Sequence, residues 1–64
     1  MVRINGETCD MAGKSITEYL EQAGYNPLRV AMERNGAIVP KAAYGDTFLA
    51  DGDEVEVVSF VGGG

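Results

Sequence analysis

Asn-Gly occurs twice in this chain, at Asn5–Gly6 and at Asn35–Gly36, and each pair lies between short stretches in which apolar and polar residues alternate. A two-residue β-hairpin turn needs positive φ at both central positions, and Asn followed by Gly meets that need at the least steric cost. Two hairpins are therefore predicted. The first joins "MVRIN", with Val2 and Ile4 on one face, to a returning strand over "ETCDM". The second joins "RVAMER" to "AIV", where Pro40 has no N–H for a ladder and so ends the strand or places it at an edge. A fifth strand is expected over "DEVEVVSFV" near the end of the chain.

Between the hairpins the period changes. Ile16, Tyr19, Leu20 and Ala23 recur at helical spacing and give one apolar stripe. Ser15 and Glu18 have capping-box spacing, and Gly24 fits the left-handed position that ends a helix. A helix of about nine residues does not stand alone, so the stripe must pack on the sheet. "NPL" at 26–28 reads as a loop, and Lys41–Asp53 carries turn signals throughout, with one helical turn around Ala42 to Tyr44. Cys9 is expected as a small, buried hydrophobe. The expected fold is α+β, in the order β-β-α-β-β-β, with a mixed sheet of about five strands packed on one helix. The first and last strands would pair in parallel through the middle of the sheet, which is the β-grasp, or ubiquitin-like, arrangement. Residues 1–61 would form the domain and 62–64 a flexible glycine tail.

Composition narrows the function. The chain has 64 residues, 45% of them hydrophobic, enough for one modest core and too few for a second. No apolar run approaches a membrane span and no signal peptide is present, so a cytoplasmic protein away from membranes is expected. A single Cys allows no internal disulfide. The net charge of −5, with five scattered basic residues, argues against nucleic acid. Without His, and without a phosphate loop or metal-ligand spacing, the chain is not expected to be an enzyme. Acidity peaks at Asp51, Asp53, Glu54 and Glu56. That run reads either as a solvated face or as a surface that meets a basic partner.

The last strand and the glycines after it carry the sharpest signal. With a period of two, Val55, Val57, Ser59 and Val61 share one face, and Glu54, Glu56, Val58 and Phe60 the other. If the valine face meets the helix, Val58 and Phe60 stand exposed just before the tail. They form a candidate docking patch, unless Phe60 folds over the sheet edge. Gly62, Gly63 and Gly64 then make the thinnest possible peptide. Extended at about 3.3–3.6 Å per residue, Val61 to Gly64 would reach roughly 12–14 Å into a narrow slot of a partner enzyme. The carboxylate of Gly64 is the group that such an arm would present to chemistry.

Over essentially its whole length the sequence resembles the ThiS family, the sulfur carriers of thiamine biosynthesis. The resemblance is carried by the short first strand with Asn5–Gly6, by "NG-x-x-VP" from Asn35 to Pro40, and by the ending "DGDEVEVVSFVGGG". It implies that an E1-like adenylyltransferase uses MgATP to convert the Gly64 carboxylate to an acyl-adenylate. A persulfide sulfur, ultimately from a cysteine desulfurase, then displaces AMP and leaves a thiocarboxylate, which thiazole synthase uses as its sulfur source. The resemblance also implies a monomer with no bound cofactor and no catalytic group or metal of its own. Gly62, Gly63 and Gly64 would thread the partner active site, and Val58, Phe60 and Val61 would contact partners. With nothing after Gly64, no proteolytic maturation is expected. Within the same fold, the small subunit of molybdopterin synthase and carriers for tRNA thiolation or protein modification are the alternatives. A β-grasp binding module with no sulfur chemistry, or an RNA-binding domain on the same fold, is the alternative from a different class.

Overall fold

The hairpin expected at the N-terminus forms between β1 (Val2–Ile4) and β2 (Glu7–Cys9) in the computed structural model, which describes residues 1–60. Asn5 and Gly6 take φ of 51° and 82°, and Asn35 and Gly36 take 52° and 84° between β3 (Val30–Arg34) and β4 (Ala37–Val39). Both pairs thus adopt the left-handed geometry that a two-residue turn requires. The remaining strand is β5 (Glu54–Ser59), and the helix is α1 (Ile16–Ala23). The sheet order is β2-β1-β5-β3-β4. β5 lies at its centre, parallel to β1 and antiparallel to β3, as expected for a β-grasp fold.

Helix α1 begins as its sequence dictates. The Ser15 hydroxyl accepts from the Glu18 N–H, and the Glu18 carboxylate accepts from the Ser15 N–H at 3.0 Å. The loop after β4 supplies acceptors for the next orphan donors. The Ile16 N–H donates to Thr47 O at 3.0 Å and the Thr17 N–H to Tyr44 O at 3.3 Å. Gly24, at φ 81°, closes the C-terminal end. The buried stripe is Ile16, Tyr19 and Leu20. Ala23, expected to extend it, is exposed, because the chain turns at Gly24 and brings Tyr25 against the core instead. Tyr25 sits 6.4 Å from Tyr19, ring centre to ring centre.

The core face of the sheet presents Val2, Ile4, Val30, Met32, Val55 and Val57 to this stripe. Two further core residues, Tyr44 and Leu49, come from the long connection between β4 and β5. That connection is tied to the segment before α1 by the pair Gly13 N–H to Leu49 O and Leu49 N–H to Lys14 O, each 2.8 Å. It opens with one 3-10 turn at Lys41–Ala43, one residue ahead of the expected position. "NPL", expected as loop, enters a second 3-10 turn, Pro27–Arg29, because the Asn26 side chain accepts from the Leu28 N–H and Pro27 presets the first φ. Cys9 is only half-buried, packed against the core from the edge strand β2. No helix among the described residues is long and apolar enough to cross a membrane.

Candidate functional site

The central position of β5 sets the geometry of the site. Alternation along β5 sends Val55 and Val57 into the core and Glu54, Glu56 and Val58 to the opposite, outer face. Ser59 has the parity of the core face, yet it is exposed. Beyond Ser59 the backbone keeps its register, since the Phe60 N–H donates to Arg29 O at 2.8 Å. Val58 and Phe60 remain 46% and 52% exposed, which is the exposed patch that the alternation predicts. Both side chains are thus about half exposed. Register adds two neighbours that the strand pattern alone could not supply. Ala31 lies opposite Val58, and Ile38, 74% exposed, lies opposite Glu33 on the same outer face. Exposed or half-buried apolar side chains thus stand on the outer face of three strands, with Ile38 one rung away from Ala31 and Val58. Val61, Gly62, Gly63 and Gly64, expected to contact partners and to thread their active sites, lie outside the described residues.

The base of β5 is anchored by Asp53. Sequence proximity puts Asp53 in one acidic run with Asp51, Glu54 and Glu56, on a solvated or partner-facing surface, but it is buried, at 7% exposure. Its carboxylate accepts from Arg34 Nε at 2.7 Å, Asn35 Nδ2 at 3.0 Å and the Ala50 N–H at 2.9 Å. Burial alone would raise its pKa. The hydrogen bonds from Arg34, Ala50 and Asn35, with the Arg34 charge, outweigh that and hold the carboxyl below the ordinary aspartate value. Asn35 passes the restraint on, its side-chain oxygen accepting from the Glu54 N–H at 2.9 Å. Asn5 does the same from the other side, accepting from the Val57 N–H at 2.8 Å where β1 has already ended. Both turn asparagines thus hold the central strand, a role beyond turn geometry.

What is left of the acidic run is Asp51, which pairs with the N-terminal ammonium, and the outer-face residues Glu54 and Glu56. Arg3 approaches Glu54 at 4.0 Å, an exposed pair of small energetic weight. No cluster of three or more metal-ligating side chains occurs among the described residues. What the site offers is a central strand, paired on both sides, that sets Val58 and Phe60 on the surface at its C-terminal end.

Comparison with known proteins agrees with this architecture. The family model "ThiS family" matches residues 2–64, a span that includes the terminal glycines. The sulfur carrier protein ThiS of Thermus thermophilus is 39% identical over 64 residues, covering all of both chains. A thiazole synthase of Magnetococcus marinus is 41% identical over 64 residues, and one of Paramagnetospirillum magneticum is 42% identical over 62. These comparisons take in 98% and 95% of this chain but only 20% and 19% of those relatives, so the chain spans about a fifth of their length. The crystal structure of a thiamine biosynthesis protein (ThiS) from Geobacter metallireducens superimposes with a TM-score of 0.78 at 34% identity, covering 98% of this chain and 97% of that one. On the family match and on this likeness in sequence and fold, the chain belongs to the ThiS family.

Proposed function

We propose that this protein is a sulfur carrier for formation of the thiazole ring of thiamine, with the carboxylate of Gly64 as its reacting group. The observation that carries the reading is the family match from residue 2 to residue 64, joined to end-to-end similarity with a protein named as a sulfur carrier. An E1-like enzyme adenylates the Gly64 carboxylate with MgATP, which turns a poor electrophile into a good one. The terminal sulfur of a persulfide attacks the acyl carbon and displaces AMP, and a thiol reductant then cleaves the S–S bond of the acyl disulfide, ending as a disulfide itself. The thiocarboxylate released holds a nucleophilic sulfur on a protein that works as an address label. All catalytic groups belong to the partners, in keeping with a chain that has no His. Docking falls to the folded body through Val58, Phe60 and Val61, because glycines 62–64 offer almost no contact area.

Thiazole synthase as the acceptor is supported by the two relatives in which a segment like this chain is part of a polypeptide named thiazole synthase. A domain that shares a chain with an enzyme works at an effective concentration far above that of a free partner. The test is intact-mass spectrometry after incubation with ATP, an activating enzyme, a persulfide donor and a thiol reductant. The mass of the wild-type chain should rise by the difference between sulfur and oxygen, and Gly64→Ala should show no such rise. An unchanged wild-type mass beside an activating enzyme proven on its own carrier would overturn the reading.

A further inference from the structure

The outer face of the sheet carries an electrostatic conflict that the fold itself does not resolve. Glu33 on β3 and Glu56 on β5 are direct cross-strand partners. The bonds from Asn35 N–H to Glu54 O and from Phe60 N–H to Arg29 O make this a hydrogen-bonded rung, with Cα atoms about 5.5 Å apart. Like charges facing each other on one side of a sheet destabilise it. Among the described residues neither carboxylate has a cation within ion-pair distance: Arg34 is bonded to Asp53, Arg3 stands by Glu54, and Lys41 Nζ donates to Pro27 O and Val30 O. Glu33 and Glu56 line an open hollow of about 310 Å³ together with Glu54, Asn35 and Gly36. On one side of this rung stands Ile38, and two residues along the strands stand Ala31 and Val58. An apolar strip and an unneutralised acidic rung are thus parts of one continuous surface.

We propose that this face docks a surface of thiazole synthase that lays apolar side chains on Ile38, Ala31, Val58 and Phe60 and sets a lysine or arginine between Glu33 and Glu56. The inference rests on the carrier reading above and adds to it the charge and footprint of the partner. Two observations select the occupant. The carboxylates call for a cation that this chain does not provide among its described residues, and relatives carry the equivalent domain within thiazole synthase itself. A surface of this kind trades stability of the free domain for recognition. Removing one carboxylate relieves the carrier and deprives the partner's cation of its counter-charge.

Titration calorimetry of the full chain with its cognate thiazole synthase, at low and raised salt, tests this. Glu33→Gln and Glu56→Gln should each weaken binding, and the double variant by roughly tenfold with a flattened salt dependence. Glu21→Gln, an equal change of charge on the exposed side of α1, should bind as the wild type does. The thermal midpoints of the Glu33 and Glu56 variants should not fall. Unchanged affinity and salt dependence in the double variant would overturn the inference, as would an equal loss with Glu21→Gln. A loss confined to the activating enzyme would overturn the choice of occupant. The mass assay on the same samples separates the two readings. If wild type gains sulfur and the double variant binds unaltered, this inference alone fails; if wild type gains no sulfur, the carrier reading fails.

Discussion

Replacing Asp53 by alanine removes the one carboxylate buried in the base of the central strand, and the size of the effect can be built from its contacts. Three hydrogen bonds are lost, from Arg34 Nε, Asn35 Nδ2 and the Ala50 N–H. Bonds to charged groups contribute about 1.5–3 kcal/mol each when buried. The Arg34 side chain is 35% exposed, so its charge rehydrates and its share is discounted to about 1 kcal/mol. With the other two bonds at the low end of that range, the total is about 4 kcal/mol, against roughly 3–10 kcal/mol for a whole domain of this size. The thermal midpoint should fall on the order of 20 °C. Asp53→Asn should cost about half as much. One oxygen can still serve Arg34 and Ala50, but the amide NH2 would face the Asn35 NH2, and Asn35 cannot turn over without releasing the Glu54 N–H. Because the native pKa of Asp53 lies below its unfolded value, the stability it contributes is complete above the ordinary aspartate pKa of about 3.9 and is lost as pH falls through the lowered native value. The gap between wild type and Asp53→Asn, measured by urea unfolding across pH, should therefore be full at neutrality and close in acid. A cost below about 1 kcal/mol for Asp53→Ala, or a gap that persists undiminished in acid, would refute this account.

Leu49→Ala, at a site only 2% exposed, should cost about 2–5 kcal/mol in the same unfolding assay, as a core position does and an ordinary loop position does not. A cost under about 1 kcal/mol would mean that the β4–β5 connection does not seal the core. Ser15→Ala should cost about 1 kcal/mol through loss of the capping box, visible as a lower thermal midpoint, whereas Ser15→Asp should be close to neutral.

Local chemistry is legible wherever one short stretch decides its own geometry. The two Asn-Gly turns, the Ser15–Glu18 box, the Gly24 stop and the exposure of Val58 and Phe60 all follow from neighbours within a few residues. The misses share a different cause. Tyr44 and Leu49 lie in a segment with no period, so nothing in it marks them as core; their burial comes from backbone bonds to residues near Lys14. Asp53 reads as one member of an acidic run because its partners Arg34 and Asn35 lie 19 and 18 positions back. The conflict between Glu33 and Glu56 exists only through strand register. Ala23 has the right helical phase, but it is the last residue of the helix, and the turn at Gly24 brings Tyr25 against the core in its place. Spacing reports faces, while distant pairing decides which faces are covered.

The place of β5 has a mechanical meaning. A partner that draws the chain beyond Phe60 into a slot pulls along the axis of a strand bonded to β1 on one side and to β3 on the other, with the Asn5 and Asn35 side chains added to its backbone. Such a load acts in shear, so the rungs resist together and cannot be peeled off one at a time. An edge strand in the same position would unzip. For the proposed sulfur carrier, this means that the domain can be held under tension through its central strand and stay folded.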